Sequence, residues 1–248
     1  MPALRQGDLW LRLLSAVTLI VIWQGGALFA LLPGPVPVAS ALAKAVGSGR
    51  LPFDLAVTLW RVAASFVIAM TGGAAIGILM GRDRRVDVFF DLWLVLGLNL
   101  PALVIIYLCY IWGGLGEAAC IIAVASSKLP NTAIILREGA RAVDRELLQV
   151  ADVLDLSWRR RLSQVYLPQL YPYFMAATRS GLAIIWKIVL VAEFLGRSNG
   201  IGYEINIYFQ FSDMTNILAY TAAFVAVVLA VEGFGIRPLE RRLTRWRA

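Results

Sequence analysis

The chain has 248 residues, of which 60% are hydrophobic, and its mean hydropathy is +0.74. Soluble domains carry roughly 45–50% apolar residues, so this composition excludes an ordinary water-soluble domain and indicates one membrane domain over residues 1–248. The sequence contains no histidine, which removes the commonest zinc ligand and the commonest general base and argues against a metal site or an enzyme.

Six apolar stretches predict an all-α protein with six membrane-spanning helices. They cover roughly residues 12–32, 55–81, 87–112, 115–136, 172–195 and 216–236. The first stretch is followed by Pro33-Gly34-Pro35 instead of a small-residue cleavage site, so we expect a retained helix and no cleaved signal peptide. Residues 38–46 are expected to form a short helix outside the bilayer.

Local features refine three of these stretches. Asn99-Leu100-Pro101 lies inside the third stretch, where the proline is expected to bend or interrupt the helix. Residues 71–77 of the second stretch include three glycines, which predict close contact with another helix. Cys109 and Cys120 lie in apolar surroundings and are interpreted as core residues rather than a disulfide or metal pair.

The basic residues are distributed very unevenly between the two sets of connecting segments. One set holds Arg5, Arg12, Arg82, Arg84, Arg85, Arg137, Arg141, Arg145, Arg159, Arg160, Arg161, Arg237, Arg241, Arg242, Arg245 and Arg247. The alternating set holds only Lys44, Arg50 and Arg197. Cytoplasmic loops of membrane proteins are rich in Lys and Arg, so both termini are predicted to be cytoplasmic. The net charge of +7 therefore needs no nucleic-acid partner.

The longest cytoplasmic loop, residues 136–170, predicts a hairpin of two short amphipathic helices. Asp144 is a candidate N-cap of the first helix, and Leu147, Val150, Ala151 and Leu154 recur at helical spacing. Ser157 is a candidate cap of the second helix, whose apolar positions are Trp158, Leu162, Val165 and Tyr166. Pro168 is expected to stop it, and Pro172 to open the fifth span.

The apolar faces of this hairpin need a cover, and periodicity leaves two possibilities open. They could pack on the protein's own helix ends or on lipid headgroups through the neighbouring arginines. They could equally dock into a groove on a soluble partner.

The hairpin resembles the EAA loop of binding-protein-dependent ABC importer permeases. The matching run is Leu148-Gln149-Val150-Ala151-Asp152-Val153-Leu154-Asp155-Leu156-Ser157, and it closes with Val165-Tyr166-Leu167-Pro168. Further pieces, in chain order, are similar to the nitrate, sulfonate, taurine and bicarbonate branch of that family. They are Asn99-Leu100-Pro101, Ile111-Trp112-Gly113-Gly114-Leu115-Gly116-Glu117, Val191-Ala192-Glu193, Gly200-Ile201-Gly202 and Pro238-Leu239-Glu240-Arg241-Arg242.

Two positions depart from the family pattern. Gln149 replaces the motif's glutamate and Asp155 replaces its glycine. A glycine between short helices usually adopts a left-handed backbone conformation, which aspartate tolerates better than most residues.

The resemblance implies a type I ABC importer permease in a bacterial inner membrane. Its partners would be a second permease copy, two cytoplasmic ATPase subunits and an extracytoplasmic binding protein. ATP and Mg would bind to the ATPase subunits, so this chain would hold no cofactor and no catalytic residue. ATPase coupling would fall to Leu147, Leu148, Gln149, Val150, Ala151, Asp152, Leu154 and Asp155.

Polar residues inside the spans are the candidates for the translocation pathway, because charges in the bilayer usually face protein or water. They are Lys187, Glu193, Asn99 and Pro101. Lys187 would favour an anionic substrate, whereas Glu193 could equally make a structural hydrogen bond near the outer end. Arg61 and Arg179 are interpreted as anchors near span ends.

Two other classes of membrane protein compete with the importer. A secondary transporter or channel would need no ATPase, but the expected inverted repeat is not evident. A polytopic enzyme would need a cluster of acid–base residues, which the sequence does not offer. The sequence does not identify the substrate.

Overall fold

A computed structural model describes residues 6–29, 32–236 and 238, and every regular element within them is helical. The helices are α1 (Gln6–Leu28), α2 (Pro35–Gly47), α3 (Arg50–Arg82), α4 (Arg84–Asn99), α5 (Ala102–Gly113), α6 (Glu117–Arg141), α7 (Arg145–Val153), α8 (Trp158–Arg160), α9 (Leu167–Gly196), α10 (Ile201–Gln210) and α11 (Met214–Ala230). Two π-helical segments, Arg161–Tyr166 and Val231–Ile236, directly follow α8 and α11. The predicted all-α class is confirmed.

Four of the helical segments are long and apolar enough to cross a membrane. They are α3, α6, the continuous run Trp158–Gly196 and the run Met214–Gly235. The pair α4 and α5 adds a fifth if it is one broken span. The apolar part of α1 is Val17–Leu28, about 18 Å of helix, which is too short to cross the membrane alone, so the predicted count of six is not confirmed at the first stretch.

The predicted break in the third stretch is confirmed, because α4 and α5 meet at Leu100-Pro101 with a bend of 100°. The pair nevertheless follows the full length of α6. Asp87 of α4 lies against Arg141, a Cβ at Gly97 would lie 2.6 Å from Pro130, and Gly113 adjoins Ala119. These partners span about 33 Å of α6, which matches the hydrocarbon thickness. We therefore describe α4–α5 as one broken span, antiparallel to α6.

The centre of the bundle is the parallel contact of α3 with α6, and glycines permit it. A Cβ on Gly77 would lie 2.2 Å from the carbonyl oxygen of Ala133, and one on Gly73 would lie 2.7 Å from Thr132. Any side chain at these positions would push the helices apart. The predicted close contact of the second stretch is confirmed.

The remaining helices define the two ends of the bundle. Helix α9 runs antiparallel to α6, so that Tyr173 lies beside Gly139 and Glu193 reaches Arg61. We call the end at which α3 and α6 finish the hairpin end, because α7 directly follows it. The other end, called the opposite end, carries α2 and α10, and the predicted short helix over residues 38–46 lies within α2.

Some residues that the sequence analysis singled out are not among the described residues. Arg5 and the arginines of the C-terminal segment lie outside the described residues, as does the motif Pro238-Leu239-Glu240-Arg241-Arg242 apart from Pro238. Cys109 and Cys120 are both free thiols.

Candidate functional site

The first helix of the hairpin, α7, is fixed at its start by two side chains. The carboxylate of Asp144 accepts a hydrogen bond from the backbone N–H of Glu146 at 2.8 Å, so the predicted N-cap is present. The backbone N–H of Asp144 in turn donates to the side-chain oxygen of Gln169 at 2.8 Å. Because Gln169 belongs to α9, the start of α7 is tied to a membrane span.

The end of α7 is a tight left-handed turn. Asp155 has φ of 47°, and it is one of two non-glycine residues with positive φ in the part of the chain that the structure describes. The backbone N–H of Leu156 donates to Ala151 and that of Asp155 to Asp152, both at 3.1 Å, which is the Schellman pattern. Asp155 thus adopts the conformation that glycine would supply in the family motif.

The apolar stripe predicted on α7 divides between two surfaces. Ala151 is buried, and the neighbouring Leu148 packs on a small core formed with Val143, Tyr166 and Leu170. The other members of the stripe, Leu147, Val150 and Leu154, are 49%, 53% and 64% exposed. They line a shallow groove with a volume of about 350 Å³ beside Val165 and Pro168. The side chains of Leu148 and Ala151 therefore fix α7 to the rest of the protein, whereas Leu147, Val150 and Leu154 remain uncovered.

The polar members of the predicted coupling set face away from this groove. Gln149 is exposed, and Asp152 is exposed and forms an ion pair with Arg161 across the hairpin. This pair links α7 to the second half of the hairpin.

The predicted stop at Pro168 is wrong. The second half of the hairpin continues without a break from Trp158 to Gly196, and Pro168 and Pro172 both lie inside the helical run. A proline has no N–H to donate, and its ring clashes with the carbonyl four residues earlier. The π-helical turn Arg161–Tyr166 directly before Pro168 changes the hydrogen-bond register there, which lets the helix pass the proline. The hairpin and the fifth span are one element.

Lys187 lies on the uncovered face of α9, together with Ala176, Ala183 and Val191. Among the described residues, no hydrogen bond or ion pair joins its ammonium group to a partner. Glu193 lies on the other side of the same helix, as its offset of six residues predicts.

Asn99 and Pro101 flank the break between α4 and α5, and both are exposed. The amide of Asn99 donates to the carbonyl oxygen of Val95 at 2.7 Å, one turn earlier in the helix. The structure thus places these candidates at the bend, and among the described residues no hydrogen bond or ion pair joins them to Lys187.

Glu193 makes structural hydrogen bonds, which was the alternative to a place in the pathway, and it belongs to a buried ion-pair network at the opposite end whose partners the sequence did not predict. Its centre is Arg61, which is fully buried and contacts two carboxylates: Nη1 lies 2.7 Å from Glu193, and Nε lies 2.8 Å from Glu117. Arg61 also donates to the carbonyl oxygen of Asn199 at 2.9 Å. The hydroxyl of Thr58 donates to Glu193 at 2.9 Å. Arg61 is therefore an anchor, as interpreted, but inside the bundle instead of at a span end.

The same network holds the Gly200-Ile201-Gly202 turn. The backbone N–H of Gly200 donates to Asp54 at 2.9 Å, and that of Gly202 donates to Glu193 at 2.8 Å. Gly200 has φ of 102°, and a Cβ there would lie 2.5 Å from the Glu193 carboxylate, so only glycine fits. In the sequence, this network was signalled by charged residues inside apolar stretches, namely Arg61, Glu117 and Glu193.

A second buried cation, Lys128, was also missed. Its side chain is fully buried between α3, α6 and α9, and its ammonium donates to Asn131 and, at 3.3 Å, to Ser180. A Cβ on Gly181 would lie 2.7 Å from Cε of Lys128, so the lysine occupies the space that this glycine leaves.

Comparisons with known proteins agree on one class of protein. Residues 73–235 match the family described as "Binding-protein-dependent transport system inner membrane component". The chain is 32% identical to the putative aliphatic sulfonates transport permease protein SsuC of Bacillus subtilis (strain 168), covering 96% of this chain and 88% of that protein. It is 28% identical to the taurine transport system permease protein TauC of Escherichia coli (strain K12), covering 93% and 87%.

Among solved structures, one chain of an amino acid ABC transporter crystallised with histidines has a similar fold. The TM-score is 0.65 at 18% identity, covering 81% of this chain and 97% of that chain. At this identity the likeness concerns the fold alone.

Proposed function

The chain belongs to the family of binding-protein-dependent transport system inner membrane components, and from that premise we propose how its parts serve transport. It is a multi-pass permease subunit of an ATP-driven importer. Membership of this family also excludes the alternative of a secondary transporter or channel that is not coupled to an ATPase. ATP hydrolysis is assigned to cytoplasmic ATPase subunits that bind ATP and Mg, and substrate delivery to an extracytoplasmic binding protein.

The exposed apolar face of α7 is the proposed ATPase-docking surface, and it is the observation that carries the proposal. Leu147, Val150 and Leu154 present adjacent apolar side chains to the solvent, while Ala151 and Leu148 fix the same helix to the spans. An apolar helix face that lies in a groove of a partner is a common mode of recognition. Because α7 is capped at both ends, motion of the ATPase would reach α9 through a rigid element.

A pair of neighbouring substitutions tests this docking. Val150→Glu puts a charge on the proposed surface, whereas Gln149→Glu puts the same charge next to it and restores the motif's glutamate. Both positions are exposed, so neither change disturbs the core. We expect Val150→Glu to weaken co-purification of the ATPase subunit by about tenfold or more, and Gln149→Glu to preserve it. Equal retention in both variants would refute docking at this face.

A second copy of the permease is the proposed cover for the uncovered face of α9. A homodimer is the simplest assembly that would enclose Lys187 between two chains. The arginine-rich hairpin end is assigned to the cytoplasm by the positive-inside rule, which places both termini there and the opposite end towards the binding protein.

The proposed substrate class is a small organic anion of the sulfonate type. Relatives named for aliphatic sulfonates and for taurine support it, as does the positive charge of Lys187 on the proposed pathway, which has no ion-pair partner in the described part of the chain. Asn99 and Pro101 are proposed to line the same pathway at the broken span, where both are exposed.

The pathway assignment is tested with Lys187→Met and with Lys44→Met as the control. Lys44 is exposed on α2 at the opposite end, so its loss removes the same charge away from the proposed pathway. Uptake of labelled taurine and of an alkanesulfonate is measured in vesicles together with basal ATPase activity. We expect Lys187→Met to reduce uptake while ATPase activity persists. Unchanged transport kinetics would exclude Lys187 from the pathway.

A further inference from the structure

The hairpin end contains a basic cleft that the docking face does not use. The cleft has a volume of about 680 Å³ and lies between the ends of α3 and α6, the start of α7 and the π-helical turn. Among the described residues, four arginines line it, Arg82, Arg141, Arg145 and Arg161, and no acidic residue does. A second, smaller cleft shares Arg82, Arg141 and Arg145, and it adds Arg84 and Asp87, the carboxylate that pairs with Arg141.

Two of the four arginines lack a carboxylate partner within the described chain. Arg141 is paired with Asp87 at 2.6 Å, and Arg161 is paired with Asp152. Arg82 instead stacks over the ring of Tyr166, with its guanidinium carbon 5.2 Å from the ring centre, and Arg145 makes no ion pair. The cleft therefore has an excess of positive charge that converges from separate elements.

The aromatic side of the cleft is held firmly in place. The side chain of Tyr166 is 92% buried, and its hydroxyl has no hydrogen-bond partner among the described residues. Leu148 and Trp158 complete this side, and Trp158 is 69% exposed, so the firm support comes from Tyr166. Arg82 and Arg145 are exposed, so the cleft is open to a large anionic group. A guanidinium that stacks on an aromatic ring keeps its planar fork of donors free for an oxyanion.

From this geometry we infer that the cleft binds a phosphate group, and that its occupation fastens α7 to the ends of α3 and α6. Arginine forks match the paired oxygens of phosphate. Arg82 and Arg141 are the last residues of two membrane spans, so the cleft lies at the depth of phospholipid headgroups. The phosphate is that of an anionic lipid or a free phosphate ion.

The cleft and the docking face can be occupied at the same time. Arg145 and Leu148 face the cleft, whereas Leu147, Val150 and Leu154 line the groove on a different side of α7. A phosphate group in the cleft would neutralise the unpaired arginines and hold α7 in place without covering the surface proposed for the ATPase. Phosphate binding in this cleft involves this chain's own arginines and does not depend on the transported substrate.

The test uses the full chain in nanodiscs and measures its unfolding temperature. One arm compares phosphatidylcholine with a mixture that contains phosphatidylglycerol. The other adds inorganic phosphate against chloride, at equal ionic strength, to discs of phosphatidylcholine alone. The variant is Arg82→Gln/Arg145→Gln, and the matched control is Arg85→Gln/Arg160→Gln, which removes the same charge from exposed positions that do not line either cleft.

We expect the anion to raise the unfolding temperature of the wild type and the control by about 4 °C, and that of the cleft variant by much less. A response in the phosphatidylglycerol arm alone identifies the lipid as the source, and a response in the phosphate arm alone identifies the free ion. Arg82→Lys/Arg145→Lys retains the charge and should retain part of the shift, which separates binding from misfolding.

Two results would overturn the inference. One is an equal response of the cleft variant and the control, which would mean that general surface charge is responsible. The other is no response of the wild type in either arm. If the cleft variant then loses the ATPase subunit while the control keeps it, the occupant is an acidic protein segment instead of a phosphate.

Discussion

The opposite end and the hairpin end of this bundle differ in how their arginines are paired. At the opposite end Arg61 is fully buried and meets two carboxylates, while at the hairpin end Arg82 and Arg145 meet none among the described residues. The apolar side chains differ in the same sense: Ile201 is buried beside the network, whereas Val150 is half exposed. A closed set of contacts favours a fixed structure, and an open set favours binding of a partner.

This contrast suggests that the opposite end holds the helices together, while the hairpin end receives motion from a partner. The network at the opposite end ties α3, α6 and α9 together through Arg61, Glu117 and Glu193. Motion that enters through α7 would then be carried by α9 as a rigid element pivoting about this anchored end. The following predictions test the contrast, from the largest expected effect to the smallest.

Removal of Arg61 is expected to have the largest effect on stability. Arg61→Met leaves Glu193 buried without its cation, and the loss of one partner of a buried ion pair costs about 3–5 kcal/mol. This corresponds to a decrease of about 10 °C in the unfolding temperature of the purified permease. Arg85→Met is the matched control, because Arg85 is exposed at the hairpin end, and its effect should be small. Comparable losses in the two variants would mean that the ends do not differ.

The contact between α3 and α6, which joins the two ends, is tested with glycine substitutions. Gly77→Ala places a methyl group 2.2 Å from the carbonyl oxygen of Ala133, so the backbones must separate, at a cost of about 2 kcal/mol. Gly72→Ala is the control on the same helix. Its methyl group meets only the flexible end of Leu129 at 3.2 Å, and alanine favours the helix. Thermal unfolding should show a loss for Gly77→Ala and little change for Gly72→Ala; the reverse order would contradict the close contact.

Local signals in the sequence predicted much of this fold. Hydropathy located the main spans, Pro101 located the broken one, and the glycines near Gly77 indicated where helices touch. The N-cap at Asp144 and the left-handed turn at Asp155 were also readable, since both depend on residues within one helical turn.

The remaining features depend on partners that are distant in the sequence. Arg61 lies 132 positions from Glu193, so a charge in an apolar stretch could be noticed but its partner could not be assigned. Lys128 fits into space that Gly181 leaves on another helix, and its sequence neighbours do not reveal this. The continuation past Pro168 depends on a π-helical turn, which has no simple sequence signature and overrides the usual rule for proline.

The smallest expected effect concerns two non-glycine residues with a left-handed backbone conformation, one at each end. Asp155 ends α7, and Ser212 lies between α10 and α11 with φ of 55°. Replacement of either by glycine relieves backbone strain of about 1 kcal/mol, partly offset by the greater freedom of glycine in the unfolded chain. Both variants should therefore raise the unfolding temperature slightly, whereas Asp155→Val should lower it.

The two glycine variants should differ in function if only the hairpin end couples to an ATPase. Asp155→Gly also restores the glycine of the family motif, so association with the ATPase subunit should be preserved or strengthened, and Ser212→Gly should leave it unchanged. The measurement is co-purification at matched expression. If Asp155→Gly lowers stability as Asp155→Val does, the turn is not held in the left-handed conformation, and the rigid end of α7 cannot be the element that transmits motion to α9.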